Sequence, residues 1–383
     1  MRVACIAISR IPSLSANSIR VMKVGQALTQ LGHDVRLLVP ETGEETSWDA
    51  LARHYGLQVR FDLRRAPAWG PLRRWDFSAE AVRQSIRWRP DLWYVWPYQA
   101  AAALSQLGRA TILEVHDRPV GAAGPSLFRL FLRGRGARRL LVITDALRNW
   151  LEVRYRRALQ PPFTLIAPSG VDLEAYAALP SPAEARARLG WPEQFTASYT
   201  GHLYEGRGLE LMVDLARRHP EFAFVWAGGE PEAVRAWKAR LGEAKVGNLR
   251  LLGFVSQMDL PMVHAASDVL LMPYARAIAV SSGGDTAAFA SPMKAFEYMA
   301  AGRPILSSRL PVFLEVLHPD NAILLEAEDL EAWDAALARV AADSGLRAHL
   351  GMIARRDAAR YSWLERTRRA LDGLAPDALE DRR

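Results

Sequence analysis

The sequence predicts an α/β protein made of two doubly wound, Rossmann-like domains with parallel sheets. Three observations predict it. Apolar, strand-like runs alternate with helical patterns along almost the whole chain. The runs are nearly continuous in apolar character, as parallel strands covered on both faces must be. The alternation halts once, at the Pro-rich and charged stretch Leu179–Gln194, and then restarts.

In the first half the strand runs are Val3–Ile8, Val35–Val39, Leu92–Trp96, Thr111–Val115, Leu140–Ile143 and Thr164–Ala167. Helical patterns such as Ser18–Leu31 and Ala146–Tyr155 lie between them. In the second half the runs are Thr196–Tyr199, Ala223–Ala227, Leu249–Leu252, Val269–Met272, Pro304–Ser307 and Ala322–Leu325. From Glu328 the chain reads as two or three helices, with Tyr361–Leu374 among the last. The expected division is an N-terminal domain over 1–178, a C-terminal domain over 179–358, a helix over 359–374 returning to the first domain, and a disordered tail over 375–383. Open parallel sheets bind ligands beyond the carboxyl ends of their strands. Two facing sheets therefore predict one shared cleft lined by strand-to-helix loops.

The 383 residues, half of them apolar and 24% charged, suit two ordinary globular domains. MRVACIAIS at the start reads as a strand, too short for a signal segment and without a cleavage site. The longest uncharged run, Leu92–Gly108, contains Pro97, Gln99 and Gln106, and reads as strand, turn and helix rather than a membrane span. Cys5 is the single cysteine, so no intrachain disulfide forms, and a cytoplasmic location is expected.

Charge is uneven. Residues 1–165 hold 25 Lys/Arg against 13 Asp/Glu, which is +12, and the remainder holds 24 against 29, which is −5. A basic front half predicts an anionic partner, above all a membrane surface met peripherally. Ser126–Leu141 concentrates the effect, with five arginines among Leu and Phe, and reads as a basic amphipathic helix. No nucleic-acid-binding motif is present, and no nucleic-acid partner is expected.

Four loops carry the candidate chemistry. In SPMKAFEYMAAGRPIL, Ser291 and Pro292 open a helix and Gly302 closes it. Its first turn, with Met293 and Lys294, offers free N–H groups and the positive dipole end to an anion such as phosphate. Glu297 lies too far in to cap, and is placed to accept hydrogen bonds from a sugar diol such as ribose. In TGHLYEGRGLELMVDLA, Gly201 permits a tight turn, Arg207 stands at a helix start and His202 can add a donor. In ILEVHDR, His116 ends a strand at the site rim. The opening loop, SRIPSLSANSIR, brings Asn17 or Ser18 to a helix start as its cap. It lacks a Gly-x-Gly-x-x-Gly fingerprint, which argues against a nicotinamide or flavin. Phe254 and Val255, just past a strand of the second half, are candidate contacts for a base.

In order and spacing, these pieces resemble the family-4 retaining glycosyltransferases of the GT-B fold. The pieces are GQALTQLGHDVRLLVP, EVHD, IAPSGVD, YTGHLYEGRG, GFVSQMDLPMVHAASDVLLMPY and SPMKAFEYMAAGRPIL. The resemblance implies transfer of a sugar from a nucleoside-diphosphate sugar to an acceptor hydroxyl, with a lipid-linked or polysaccharide acceptor as the expectation and no cofactor. It implies that Arg207 matches the family's phosphate lysine, with His202 where an arginine is usual. Glu297 then matches the ribose glutamate and His116 a donor-sugar histidine. No Asp-x-Asp metal motif is present, so cationic residues are expected to take a metal's place. Three positions depart from the pattern. Phe289 stands where the family's first glutamate falls, Ser15–Ser18 replace a Gly-Gly, and Ser169 replaces the junction Asn. Asp285 is a candidate substitute for the lost carboxylate. Rival readings are a nucleotide-sugar epimerase, a sugar phosphorylase, or a degenerate binding subunit on the same fold.

Overall fold

A computed structural model of the chain describes residues 1–41, 46–68, 74–276 and 288–374. Asp285 and the tail 375–383 lie outside the described residues. The chain divides into two compact units, Met1–Ser169 with Trp363–Arg383, and Gly170–Ser362.

The first unit runs β1 (Arg2–Ile6), α1 (Ala16–Gln30), β2 (Asp34–Pro40), α2 (Trp48–Tyr55), β3 (Asp62–Ala66), α3 (Trp75–Trp88), β4 (Leu92–Val95), α4 (Tyr98–Gln106), β5 (Thr111–Val115), α5 (Gly124–Arg133), β6 (Ala137–Val142), α6 (Asp145–Tyr155) and β7 (Thr164–Ile166). All neighbouring strands pair in parallel, in the order β3-β2-β1-β4-β5-β6-β7. The central strands read as unbroken apolar runs because both faces are covered: all four residues of β4 are buried, as are Val3 to Ile6 of β1. Cys5 is inside this core, where burial pushes its thiol upward. Strand β3 is the one the sequence does not announce. Its DLRRA is polar because it is an edge with a single neighbour.

The second unit runs α7 (Pro182–Leu189), β8 (Thr196–Thr200), α8 (Leu209–Arg218), β9 (Ala223–Ala227), α9 (Pro231–Glu243), β10 (Leu249–Gly253), α10 (Leu260–Ala265), β11 (Val269–Met272), α11 (Met293–Ala301), β12 (Ile305–Ser308), β13 (Ile323–Leu325), α12 (Leu330–Ala342) and α13 (Ser344–Ala358). Its six strands are also parallel, in the order β10-β9-β8-β11-β12-β13. The Leu179–Gln194 interruption becomes α7, bounded by a Ser181/Glu184 capping box and a left-handed Gly190. Finally α14 (Trp363–Leu371) packs on α1 in the first unit.

Two sequence expectations are corrected. Ser126–Leu141 is not one amphipathic helix, because α5 ends at Arg133 and β6 begins at Ala137. Phe128, Phe131 and Leu132 of α5 are core residues. Arg139 of β6 is buried, and donates to the Arg369 and Ala370 carbonyls at the end of α14. The cap of α1 is Ser15, whose side chain accepts from the Ser18 N–H, and not Asn17 or Ser18. Among the described residues no helix is long and apolar enough to cross a membrane.

Each sheet reverses its winding once, between β1 and β4 and between β8 and β11, and such switch points open a crevice at the strand ends. Helix α11 is set beside the second by close backbone contact. A Cβ on Gly351 of α13 would lie 2.2 Å from the Gly302 carbonyl that closes α11. We predict that Gly351→Ala costs about 1–3 kcal/mol through overpacking, read as a lower melting temperature. An unchanged melting temperature would show that α11 is not held this way.

Candidate functional site

The second unit gathers most of the predicted residues past β8. Gly201 follows that strand at φ 133°, and a Cβ there would meet Lys294 Nζ at 2.8 Å. That backbone conformation is one glycine adopts readily and other residues rarely do. Lys294 comes from the first turn of α11, whose N-cap, Pro292, provides no side-chain cap. The helix starts at Met293, so Glu297 sits one turn in, buried on the same helix. Ser291 and Pro292 lie half-buried just ahead of it.

Lys294 is 8% exposed and its Nζ has no hydrogen-bond partner. It lies 3.6 Å from the Tyr199 ring centroid and 5.2 Å from that of Tyr274. The Arg207 guanidinium sits over the other side of the cluster, 4.7 Å from the Tyr274 ring, with its Nε buried and unpartnered. Burial, and then the nearby Arg207 charge, push the Lys294 amine well below its ordinary value, while Glu297 pulls the other way. Two buried cationic nitrogens thus lack acceptors beside the amino end of a helix. Such an arrangement is chemically suited to an anion.

The remaining predicted residues border this cluster. His202 stacks on Tyr204, and its carbonyl accepts from the Tyr199 hydroxyl at 2.7 Å. Phe254 and Val255 follow β10, whose Gly253 carbonyl accepts from the Gly228 N–H beside Gly201. Phe254 is 45% exposed. Phe289 is buried. Sequence reasoning missed the aromatic floor of Tyr199 and Tyr274. Their signal was weak, because Tyr199 in a buried strand and Tyr274 just past one read as core.

A second cluster lies in the first unit. A cavity of about 180 Å³ is lined by Ile8, Asn17, Trp96, Tyr98 and His116, among others. It lies beyond the ends of β1, β4 and β5. His116 meets Asn17 at 3.3 Å through Nδ1 and Glu114 at 2.6 Å through Nε2. Burial, then the Arg20 charge, lower His116 to about 4 despite Glu114. Ser18 does not join this cluster; its buried hydroxyl donates to the Ser13 and Ser15 carbonyls. Ser169 accepts from Arg20 at 2.7 Å. Glu114, Tyr94, Arg20 and Arg366 went unpredicted. The available signal was Glu114 itself, a carboxylate inside the apolar strand TILEV. Among the described residues no group of three or more His, Cys, Asp or Glu could hold a metal.

Comparison with known proteins places this architecture in a class. Sucrose-phosphate synthase of Thermosynechococcus elongatus is similar over 96% of this chain and 97% of its own, with TM-score 0.73 and 17% identity. Anabaena HepE, solved in complex with UDP-glucose, is similar over 98% and 99%, with TM-score 0.73 and 15% identity. The fold is therefore the two-sheet GT-B fold of these proteins. Residues 18–175 match the family described as Glycosyltransferase Family 4, and residues 195–343 match Glycosyl transferases group 1. The chain belongs to the family-4 glycosyltransferases. D-inositol 3-phosphate glycosyltransferase of Saccharomonospora viridis is 31% identical over 255 residues, 62% of this chain and 55% of that protein. The GDP-mannose-dependent alpha-(1-6)-phosphatidylinositol monomannoside mannosyltransferase of Mycolicibacterium smegmatis is 27% identical over 299 residues, 73% of this chain and 75% of that protein. The chain spans about half the length of the first of these relatives and of the one from Xylanimonas cellulosilytica.

The unpartnered amine yields a prediction. Removing a buried unsatisfied donor relieves a penalty of about 1–3 kcal/mol, so Lys294→Met should raise the melting temperature. Lys294 is depressed in the fold from an ordinary value of 10.5, so the unfolded chain binds the extra proton and wild-type stability rises with pH. The gain from the substitution is therefore greatest at low pH and fades as pH approaches 10.5. The other groups around the amine are Arg207, Glu297, Tyr199, Tyr274 and His264, the last pushed down to about 3 by burial and then Lys294. Chemical denaturation across pH checks this. A variant less stable than wild type at all pH values would contradict it.

Proposed function

We propose that this chain is a retaining glycosyltransferase that moves a sugar from a nucleoside-diphosphate sugar to an acceptor hydroxyl. The observation that carries the reading is the pair of buried, unpartnered cationic nitrogens, Lys294 Nζ and Arg207 Nε, at the amino end of α11. A diphosphate supplies what that cradle lacks. As the glycosidic bond breaks, negative charge grows on the departing diphosphate. Donors already fixed in place stabilise that charge without reorganising, the largest single contribution in many such reactions. Arg207, Lys294 and the first N–H groups of α11 have this role, with His202 beside them.

Glu297 accepts hydrogen bonds from the ribose diol, and Phe254 with Val255 meets the base. Asn17 and His116 of the first unit meet sugar hydroxyls. Phe289 is a buried ring where the family has a carboxylate, so the sugar end of the donor is gripped differently here. Retention follows from a front-face path, in which the donor phosphate accepts the proton of the incoming acceptor hydroxyl.

The acceptor is a carbohydrate, free or lipid-linked. Two of the relatives are named for an inositol phosphate and a phosphatidylinositol monomannoside. The +12 balance of residues 1–165 supports working at an anionic membrane face, peripherally and on the cytoplasmic side. From the segment Ser126–Leu141 the exposed arginines Arg129, Arg133 and Arg135 can serve that contact, whereas Arg139 is buried inside the fold.

Arg207→Ala should lower turnover of a nucleotide sugar by about 10²-fold or more, the cost of one oriented donor; near-normal turnover would remove its assigned role. Glu297→Gln should weaken binding of the free nucleoside diphosphate in a titration, and equal affinity would count against the diol contact. In flotation assays the protein should rise with anionic vesicles and stay behind with neutral ones. Equal failure on both would end the membrane proposal.

A further inference from the structure

Strand β8 pairs with its two neighbours over unequal lengths. Against β9 it runs in register from Thr196 to Thr200, and the Gly201 N–H still reaches the Ala227 carbonyl at 2.8 Å. Against β11 the register covers only two pairs, Ala197 with Val269 and Ser198 with Leu270. Past Ser198 the two strands part, while β11 continues along β12 to Met272. Successive residues of a strand donate to opposite sides. The Gly201 N–H faces β9, so the Thr200 N–H faces the split.

Tyr298 of α11 fills that split with a polar atom. Its side chain is fully buried, and its oxygen accepts the Thr200 N–H at 2.8 Å. The same hydroxyl donates to the Leu271 carbonyl of β11 across 3.5 Å. A side chain thus stands where the next rung of backbone pairing would fall. A direct N–H to carbonyl bond would draw the strands to a spacing of about 4.8 Å; an oxygen inserted between the two backbones holds them further apart. Thr200 is also gripped through its side chain. Its Oγ1 lies 3.2 Å from His264 Nε2 and 3.3 Å from the Tyr298 oxygen. His264 Nδ1 meets the Tyr176 hydroxyl at 3.0 Å. A hydroxyl donates or accepts, so both ring nitrogens are paired whichever of them carries the proton. The fully buried His264 ring stands edge-on to Tyr298, with centroids 5.2 Å apart.

This paired chain borders the unpaired one. Lys294 precedes Tyr298 by one turn of α11, so the two side chains are neighbours on the helix. Lys294 Nζ lies 3.6 Å from the ring of Tyr199, the residue before Thr200, and in the room left by Gly201, the residue after it. The segment that Tyr298 and His264 hold is therefore the one that shapes the surroundings of the amine.

We propose that Tyr298, backed by His264, is a positioning residue: its hydroxyl props β8 and β11 apart beyond Ser198 and keeps open the space in which an anion meets Lys294. The anion rests on the reading given above of the cluster around Lys294 and Arg207; the prop does not.

The test uses the full chain and inorganic pyrophosphate, a probe with neither base nor sugar. In a calorimetric titration Tyr298→Phe should bind it about tenfold more weakly than wild type, the equivalent of roughly one hydrogen bond. Val340→Ala in α12, which destabilises the same unit by opening a cavity, should keep wild-type affinity. Equal affinity in Tyr298→Phe, or an equal loss in Val340→Ala, would overturn the proposal. His264→Phe, which removes the partner of Thr200 Oγ1 and of Tyr176, should weaken binding severalfold, and His264→Gln should recover part of the loss. If Tyr298→Phe does not fold, this pair decides, and equal affinities in the two would overturn the proposal. If the wild type takes up no pyrophosphate, the anion reading falls, and a crystal structure of Tyr298→Phe decides the prop alone. The path of Thr200 and Gly201 should then shift relative to β11, and an unchanged path would overturn the proposal.

Discussion

A charge inside a protein must find its opposite, and two clusters of this chain differ in how fully they meet that constraint. In the first unit the buried Glu114 is met by Arg366, Tyr94 and His116. In the second, Lys294 and Arg207 are carried into a polyaromatic recess of Tyr199 and Tyr274, and one nitrogen on each is left without an acceptor. Unsatisfied buried donors cost stability. Two of them side by side at the amino end of a helix are chemically suited to an anion, which is the proposed role. That asymmetry separates a binding site from a structural ion pair, and the functional reading grows from it.

The backbone makes the asymmetry possible. Parallel sheets aim all their strand ends one way, and the reversal of winding at β8 and β11 opens space just beyond them. Gly201 turns tightly enough there to leave room for the Lys294 amine. Helix α11 directs its amino end at the same space, and its other end is fixed by backbone contact with α13 at Gly302 and Gly351. Aromatic faces line the recess around the amine, with Glu297 the nearby carboxylate. They stabilise a cation only partly, which leaves most of the electrostatic demand for a ligand.

The legible part of the fold was the part governed by periodicity. Buried parallel strands such as LWYV of β4 and VLLM of β11 announce themselves as apolar runs, and helix α11 was visible from its Pro and Gly boundaries. What escaped was decided by tertiary context. DLRRA forms a strand only because β2 offers it an edge. The arginines of Ser126–Leu141 look alike in sequence, yet Arg129 is exposed and Arg139 holds the end of α14. Arg366 is indistinguishable by pattern from Arg368 and Arg369, although it alone reaches Glu114. Local sequence shows which residues can carry charge. Long-range packing determines which of those charges meet.

The most direct test of the central claim is a crystal structure of the protein with a nucleoside diphosphate bound. Phosphate oxygens should lie within hydrogen-bonding distance of Lys294 Nζ and the Arg207 guanidinium, at the amino end of α11. A nucleotide seated elsewhere, with those two nitrogens still unpartnered, would contradict the account.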